Sequence, residues 1–144
     1  MLSREVDEAR EIGGQIYYPH TLVTLGRERD FQMRIHAAEK AELTVGLLEY
    51  ASPVRIHTEA LSDAYQVNFP LQGQLRMTYG DQKILASPRI AAIHGTDRET
   101  GLEGWDSPTT MLGLKIPQRV LDRELEVLLG RTPEAPVVFA GSLD

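Results

Sequence analysis

Apolar and polar residues alternate along most of the chain with the period of two that is typical of β-strands. The alternation begins in the stretch FQMRIHAAE at residues 31–39, and seven further strand-like runs follow, of which the first is more uniformly apolar, as in a strand with both faces largely covered. These runs are ELTVGLLEYA, PVRIH, YQVNFPL, QLRMTY, QKILA, RIAAIH and TMLGLKI. Turn signals such as Ser52-Pro53, Gly80-Asp81 and Ser87-Pro88 separate them. The pattern therefore predicts about eight short strands.

No helix of useful length interrupts this series, so a parallel β-α-β arrangement is disfavoured. Many short antiparallel strands at this spacing favour a sandwich or a barrel, in which few strand edges stay exposed. In the hairpin YQVNFPLQGQLRMTYG at residues 65–80, Pro70 has no N–H to give to a ladder. We therefore expect Pro70 at an unpaired edge, a bulge or a bend, and Gly73 at the reversal that follows.

The same hairpin predicts one set of side chains that faces the interior. This set is Tyr65, Val67, Phe69, Leu75, Met77 and Tyr79. Apolar side chains with two hydroxyl groups would suit the wall of a small-ligand pocket. They would suit a packed core equally well, because side chains often fill small barrels. A filled interior would leave the domain with only a partner-binding role.

Helical patterns flank the strand series. The first runs from Leu2 to Ile12, with Ser3 as the expected cap and Gly13-Gly14 as the expected end. The second spans residues 117–130, between a proline suited to the first turn and a glycine suited to the end. Its apolar stripes are Leu121, Leu125, Leu128 and Leu129 on one side and Val120 and Val127 on the other. Either its own strands cover this helix, or one stripe meets a partner chain or another helix.

The composition narrows the classes of function. The 144 residues, 42% hydrophobic and 25% charged, suit one globular domain. No apolar run reaches the ~20 residues of a membrane span, and the charged start MLSREVDEAR differs from a secretory signal, which fits the cytoplasm. Cysteine is absent, which excludes disulfides and thiolate chemistry. A net charge of -6 disfavours phosphate binding, so Arg27, Arg29 and Arg34 are interpreted as a solvated face.

Three consecutive stretches carry a family resemblance. The stretch DAYQVNFPLQGQLRMTYGDQKILASPRIAAI resembles the hairpin region in the N-terminal domain of AraC/XylS-family transcription regulators. LTVGLLEYASPVRIHT resembles the strands before that hairpin, and MLGLKIPQRVLDRELEVLLGRTPEAPVVF resembles the last strand, the helix and the segment after it. The resemblance covers about Ala9 to the end, and the order of the motifs is more specific than any one of them. Arg89 departs from the family, which usually has glycine after the proline, so the type of this turn stays open.

The resemblance implies a mostly β, cupin-like double-stranded β-helix (jelly-roll) barrel with helices packed outside it. It divides the chain into an N-terminal helix at 1–14, a barrel at 30–117, a helix at 117–130 and a truncated linker at 131–144. It also implies a domain that senses a small-molecule effector and forms a homodimer, while a missing C-terminal helix-turn-helix domain binds DNA. The apolar tail and the helix-cap-like Ser142 indicate a piece of a longer protein.

We expect an effector to bind inside the barrel. The candidate ligand-binding residues are Arg34, Tyr65, Met77, Tyr79, His94 and Trp105. Met77 can adapt its shape, and the aromatic rings supply flat apolar area. Trp105 would alternatively cover the barrel mouth, and Arg34 with His36 would meet an anionic ligand only if their face turns inward. The candidate dimer contact consists of Leu121, Leu125 and Leu128.

Cupin barrels also support metal enzymes. Their metal sites need two histidines separated by one residue on a strand, a carboxylate shortly after, and a further histidine from a neighbouring strand. The four histidines are His20, His36, His57 and His94, and none is paired in this way. A remnant site would combine His57, Glu59 or Asp63, and His94, so a cupin-type enzyme with a degenerate metal site is the alternative. The G-x-S-x-G elbow and the GxxxxGK[ST] loop are absent from the sequence. We therefore predict a non-enzymatic domain without a metal or cofactor.

Overall fold

The computed structural model, which describes residues 1–143, contains two antiparallel β-sheets with a helix near each end of the chain. The helices are α1 (Val6–Ile16) and α2 (Gln118–Leu129). The strands are β1 (Leu2–Ser3), β2 (Thr21–Thr24), β3 (Met33–Lys40), β4 (Leu43–Tyr50), β5 (Val54–Thr58), β6 (Ala64–Gln72), β7 (Leu75–Tyr79), β8 (Gln82–Ala86), β9 (Ala91–His94), β10 (Thr100–Gly104), β11 (Thr110–Pro117) and β12 (Ser142–Leu143). The predicted mostly β chain, without an internal helix between the strands from β3 to β11, is confirmed.

The seven-stranded sheet has the order β1-β3-β4-β11-β6-β9-β12, and the five-stranded sheet has the order β2-β5-β10-β7-β8. Side chains from both sheets share one core, which includes Met33, Leu48, Val54, Met77 and Leu102. Over the described residues, backbone ladders join strands within each sheet but not across the two sheets. The predicted barrel is therefore an open sandwich.

The side chains of strand β6 point to the faces opposite to those predicted. Gln66, Asn68 and Pro70 are buried and face the other sheet, whereas Val67 and Phe69 are half-buried on the outer face. An alternating pattern fixes which residues share a face, but it does not fix which face is inside. The prediction chose the wrong face because it put the apolar residues inside, yet apolar side chains lie on both faces here. On β7, the prediction that Leu75, Met77 and Tyr79 point inward is confirmed.

Pro70 lies at a bulge, as its missing N–H predicts. The ladder between β6 and β11 shifts register between Thr110, which is opposite Gln72, and Met111, which is opposite Pro70. Gly73 then reverses the chain with a φ of 81°, a conformation that favours glycine. A Cβ at this position would overlap the Thr109 side chain and lie 2.9 Å from the Pro108 carbonyl oxygen.

Helix α1 begins and ends later than predicted. Ser3 belongs to β1 and lies opposite Met33 of β3. Its Oγ accepts the Glu5 N–H at 3.2 Å and donates to the Glu8 carboxylate at 2.5 Å. The predicted end at Gly13-Gly14 is wrong, because both glycines lie inside the helix. Gly13 packs closely against the His20 ring, because a Cβ there would lie 3.0 Å from that ring and would require it to shift by a few tenths of an ångström.

Helix α2 agrees with its predicted boundaries. Pro117 precedes it, and Gly130 ends it in the left-handed conformation, with its N–H bonded to the Glu126 carbonyl at 2.9 Å. Arg119 and Arg123 anchor it to Glu42 at 3.0 and 2.6 Å. None of its residues is fully buried. Over residues 1–143, no helix is long and apolar enough to cross a membrane.

The chain after α2 returns to the seven-stranded sheet. The Val137 N–H donates to the Tyr65 hydroxyl at 2.8 Å, and the Phe139 ring meets the Tyr65 ring edge-on at 5.5 Å. The Ile93 N–H donates to the Gly141 carbonyl at 2.9 Å, and β12 pairs with β9. Whether 131–144 serves as a linker to another domain stays a prediction.

The turn at Arg89 forms without the glycine that the family usually has. Ser87 and Ile90 exchange two backbone hydrogen bonds of 2.9 and 3.0 Å across it. The Arg89 N–H donates to the Ser87 hydroxyl at 3.3 Å, so the serine side chain supports the turn.

Candidate functional site

A cavity of about 60 Å³, called the interior cavity below, lies between the two sheets beside the C-terminal end of α1. Its wall combines apolar side chains with polar ones from both sheets. The strand residues with polar side chains are Thr58, Gln66, Asn68, His94 and Thr100. The volume is smaller than the ~150 Å³ that holds benzene, so only a compact molecule fits without movement of the wall.

His94 is the central polar group of the interior cavity. Strand β9 points it inward, and its exposed fraction is only 2%. Neither ring nitrogen has a hydrogen-bond partner among the described residues, and the ring stacks on Tyr79 with centroids 5.9 Å apart. Burial lowers the pKa of His94 to about 4, so the imidazole is neutral at pH 7. A neutral imidazole offers one donor and one acceptor.

Gln66 and Asn68 lie two residues apart on the inward face of β6. The Gln66 amide nitrogen donates to Asn68 Oδ1 at 2.9 Å, which fixes the orientation of both amides. Gln66 Oε1 is buried and has no partner within residues 1–143. A buried polar atom without a partner costs about 1–3 kcal/mol. The interior cavity thus contains polar groups that an occupant could satisfy.

The end of α1 closes one side of the interior cavity with Tyr17, Tyr18 and His20. The Tyr17 hydroxyl donates to the Gly113 carbonyl at 3.0 Å, which ties the helix end to β11. Lys115 holds the same segment from outside through the Tyr17 carbonyl at 2.5 Å. Burial raises the pKa of Tyr17 to about 12 and that of Tyr18 further, and burial lowers the pKa of His20.

Of the predicted ligand-binding residues, only His94 lines the interior cavity. Tyr79 supports it from behind, and its hydroxyl donates to Asp97. Burial raises the pKa of Tyr79 to about 12. Met77 is buried in the core, and Tyr65 lies on the outer face of β6 against Val137. A ligand contact by these residues stays a prediction.

Arg34 and Trp105 lie at a different place, a surface cleft of about 880 Å³ where the connections after β2, β4 and β10 converge. Arg34 pairs with Glu49 at 3.6 Å. Trp105 is 2% exposed, and its indole N–H donates to the Thr109 carbonyl at 3.1 Å. Its ring packs edge-on against Tyr50 at 4.8 Å. These contacts hold a bulky residue at a φ of 63° and fit the alternative in which Trp105 covers one end of the sandwich.

The histidines of the considered metal site lie apart. His57 is on the outer face of the five-stranded sheet, where its Nε2 lies 3.2 Å from Glu99. His94 points inward from the other sheet. Within residues 1–143, no three histidine, aspartate or glutamate side chains are placed to hold a metal ion together.

The candidate dimer residues belong to a partly uncovered helix. Leu121 and Leu125 are half-buried, whereas Leu128 is 78% exposed. Val127, which belongs to the other predicted stripe, is 78% exposed as well. The uncovered apolar surface therefore lies at the C-terminal end of α2.

The sequence reasoning missed Gln66, Asn68 and the residues at the end of α1. The spacing of Gln66 and Asn68 was a usable signal, because two amides at alternate positions of a strand share one face. Tyr17 and His20 gave no comparable signal, since they follow a helix whose position over the sheets is set by tertiary packing.

Comparisons with known proteins identify the family of the chain. The family described as AraC-binding-like domain matches residues 9–144. A probable thc operon regulatory protein from Rhodococcus erythropolis is 43% identical over 145 residues, which cover 99% of this chain and 44% of that protein. The chain thus spans less than half the length of this relative.

Solved structures show the same fold. The AraC-like transcriptional activator CuxR matches with a TM-score of 0.68 at 11% identity, over 90% of this chain and 51% of that chain. A cupin superfamily protein from Desulfitobacterium hafniense matches with a TM-score of 0.50 at 20% identity, over 58% of this chain and 76% of that chain. The predicted cupin-like fold is confirmed. The chain belongs to the AraC-binding-like domain family.

Proposed function

We propose that this domain senses a small-molecule effector in the interior cavity and thereby controls a cytoplasmic transcription regulator. A helix-turn-helix domain outside these residues would bind the DNA. The observation that carries the proposal is His94, a buried imidazole that faces a cavity and whose two nitrogens have no partner in the described part of the chain. Family membership supports it, because the relative from R. erythropolis is named as an operon regulator.

The energetics favour occupancy of the interior cavity. His94 and Gln66 Oε1 have buried hydrogen-bonding capacity that residues 1–143 leave unpaired. Each such group costs about 1–3 kcal/mol, and a ligand that pairs with it recovers part of this cost. A ligand that binds only the folded state also raises the melting temperature. Effector binding is therefore coupled to the stability of the domain.

A thermal-shift screen of the domain against small sugars, amides and carboxylic acids tests this proposal. We expect the stabilisation by a bound compound to be lost in the His94→Phe variant and kept in His36→Phe, which replaces an exposed histidine of β3. A compound that stabilises the wild type and His94→Phe equally would place its site elsewhere. The complete regulator should then respond to the same compound in operator binding.

We further infer that the domain acts without catalysis. The outward direction of His57 and the inward direction of His94 support this inference over a cupin-type enzyme, because the considered ligands do not converge. Metal analysis of the purified protein decides between them. A stoichiometric transition metal that is lost in both His57→Ala and His94→Ala would establish the alternative.

The domain forms a homodimer through α2 in this proposal. Val127 and Leu128, each 78% exposed, are the apolar side chains that a second copy would cover. Sedimentation of Leu128→Glu should show a monomer. Leu85→Glu serves as the matched control, because Leu85 is an exposed leucine on β8, at the edge of the five-stranded sheet, and its variant should stay dimeric. A wild-type domain that is monomeric at high concentration contradicts the proposed dimer.

A further inference from the structure

We propose that the effector of the interior cavity is a compact, uncharged molecule that both donates and accepts hydrogen bonds, with an amide as the simplest such group. The inference rests on the proposed function, because it takes the interior cavity as the effector site. It adds the chemical class of the ligand, which neither the fold nor the relatives specify.

The wall of the interior cavity has no fixed charge. Among the described residues that line it, none is an aspartate, glutamate, lysine or arginine. The titratable side chains in the wall are tyrosines and the histidines His20 and His94. Burial favours the uncharged form of each of them. An ion taken from water into such a place costs several kcal/mol without a partner charge. A charged effector would therefore bind poorly.

Lys115, which contacts the segment that closes the interior cavity, is a cation that an anionic ligand could recruit. Its ammonium group already donates to the Tyr17 carbonyl and lies 5.8 Å from the centre of the Tyr18 ring. Those contacts hold the end of α1 in place. Recruitment of Lys115 would therefore open the segment that closes the interior cavity.

The unpaired groups define the polar pattern of the ligand. Gln66 Oε1 is a carbonyl oxygen and can only accept, and the bond from its amide nitrogen to Asn68 sets its direction. His94 supplies one donor and one acceptor in its neutral form. A matching ligand thus needs an N–H or O–H for Gln66 and a complementary group for His94. A primary amide carries both kinds of group without a charge.

The size of the ligand follows from the same wall. About 60 Å³ accommodates a few non-hydrogen atoms. A larger effector requires the segment with Tyr17, Tyr18 and His20 to move outward, against the hydrogen bond from Tyr17 to Gly113. Small probes of similar size therefore test the charge preference without that movement.

The experiment compares propionamide, propionate and propylammonium by NMR titration of the His94 ring and the Gln66 side-chain amide. We expect saturable shifts of both signals with propionamide and none with the two ions at the same concentration. His94→Phe should weaken propionamide binding about tenfold, which corresponds to one lost hydrogen bond, and the surface control His36→Phe should not.

The outcomes separate the two proposals. If propionate or propylammonium shifts the His94 and Gln66 signals with the same affinity as propionamide, the uncharged ligand class is wrong. The assignment of the interior cavity as the effector site then still holds. Propionate binding that disappears in Lys115→Met overturns the uncharged class in the same way and shows that Lys115 is recruited. If none of the three probes shifts the His94 and Gln66 signals, the ligand class and the assignment of the interior cavity fail together.

Discussion

Acidification should destabilise the domain through His94. Burial favours the neutral imidazole, so the pKa of His94 is about 4 in the folded domain and near its ordinary value of 6.5 in the unfolded chain. The unfolded chain therefore binds the proton first as the pH falls. Stability is unaffected above the unfolded pKa, decreases between the two values and is lowest below the folded pKa.

The magnitude follows from the difference between the two pKa values. Each unit corresponds to about 1.4 kcal/mol, so the complete transition removes roughly 3 kcal/mol of unfolding free energy. Between about pH 7.5 and about pH 4.5 the expected loss from His94 alone is roughly 2.5 kcal/mol. This is a large part of the ~5–15 kcal/mol that stabilises an ordinary domain.

Urea denaturation of the wild type and of His94→Phe over this pH range measures the effect. The other titratable groups are the same in both proteins, so their contributions cancel in the difference. We expect the variant to gain roughly 2.5 kcal/mol relative to the wild type between the two pH limits, whereas His36→Phe follows the wild type. Parallel curves for the wild type and His94→Phe would refute the reasoning, as would a His94 ring that titrates by NMR near 6.5.

Further substitutions test the backbone and the end of the sandwich. Gly73→Ala should cost about 2 kcal/mol or more in urea denaturation, because it combines a φ of 81° with overlap against Thr109. Gly130→Ala is the matched control at a φ of 71° with no atom within 4 Å, so we expect about 1 kcal/mol; equal costs would contradict the packing argument. Trp105→Phe should cost about 1–2 kcal/mol through its lost hydrogen bond, and an unchanged stability would show that the bond contributes nothing.

Local chemistry explains what the sequence could predict. Pro117 and Gly130 bound α2 because a missing N–H and a left-handed φ act within one or two residues. Pro70 marks its bulge for the same reason. The series of strands followed from alternation and turn residues, which are also properties of short segments. None of these features depends on which distant segment packs against them.

The interior cavity is formed by segments that are far apart in the sequence, so the sequence predicted only part of its wall. His94 was found because a histidine after an apolar strand stands out, whereas the choice of face on β6 put Gln66 on the wrong side. That choice requires knowledge of what covers each face. Phe139, more than sixty residues downstream, covers Tyr65 on the outer face. Alternation alone contains no information about such a contact.

Strands β6 and β9 each contact the interior cavity on one face of the seven-stranded sheet and the chain after α2 on the other side. Gln66 faces the interior cavity, while its neighbour Tyr65 accepts the Val137 N–H on the outer face. His94 likewise faces inward, while the N–H of Ile93 is bonded to the Gly141 carbonyl. A displacement of either strand by an occupant therefore acts on the contacts of residues 137–141 as well. Because the side-chain directions alternate along a strand, we expect residues 137–141 to respond to an occupant in addition to the segment with Tyr17, Tyr18 and His20, which lines the interior cavity directly.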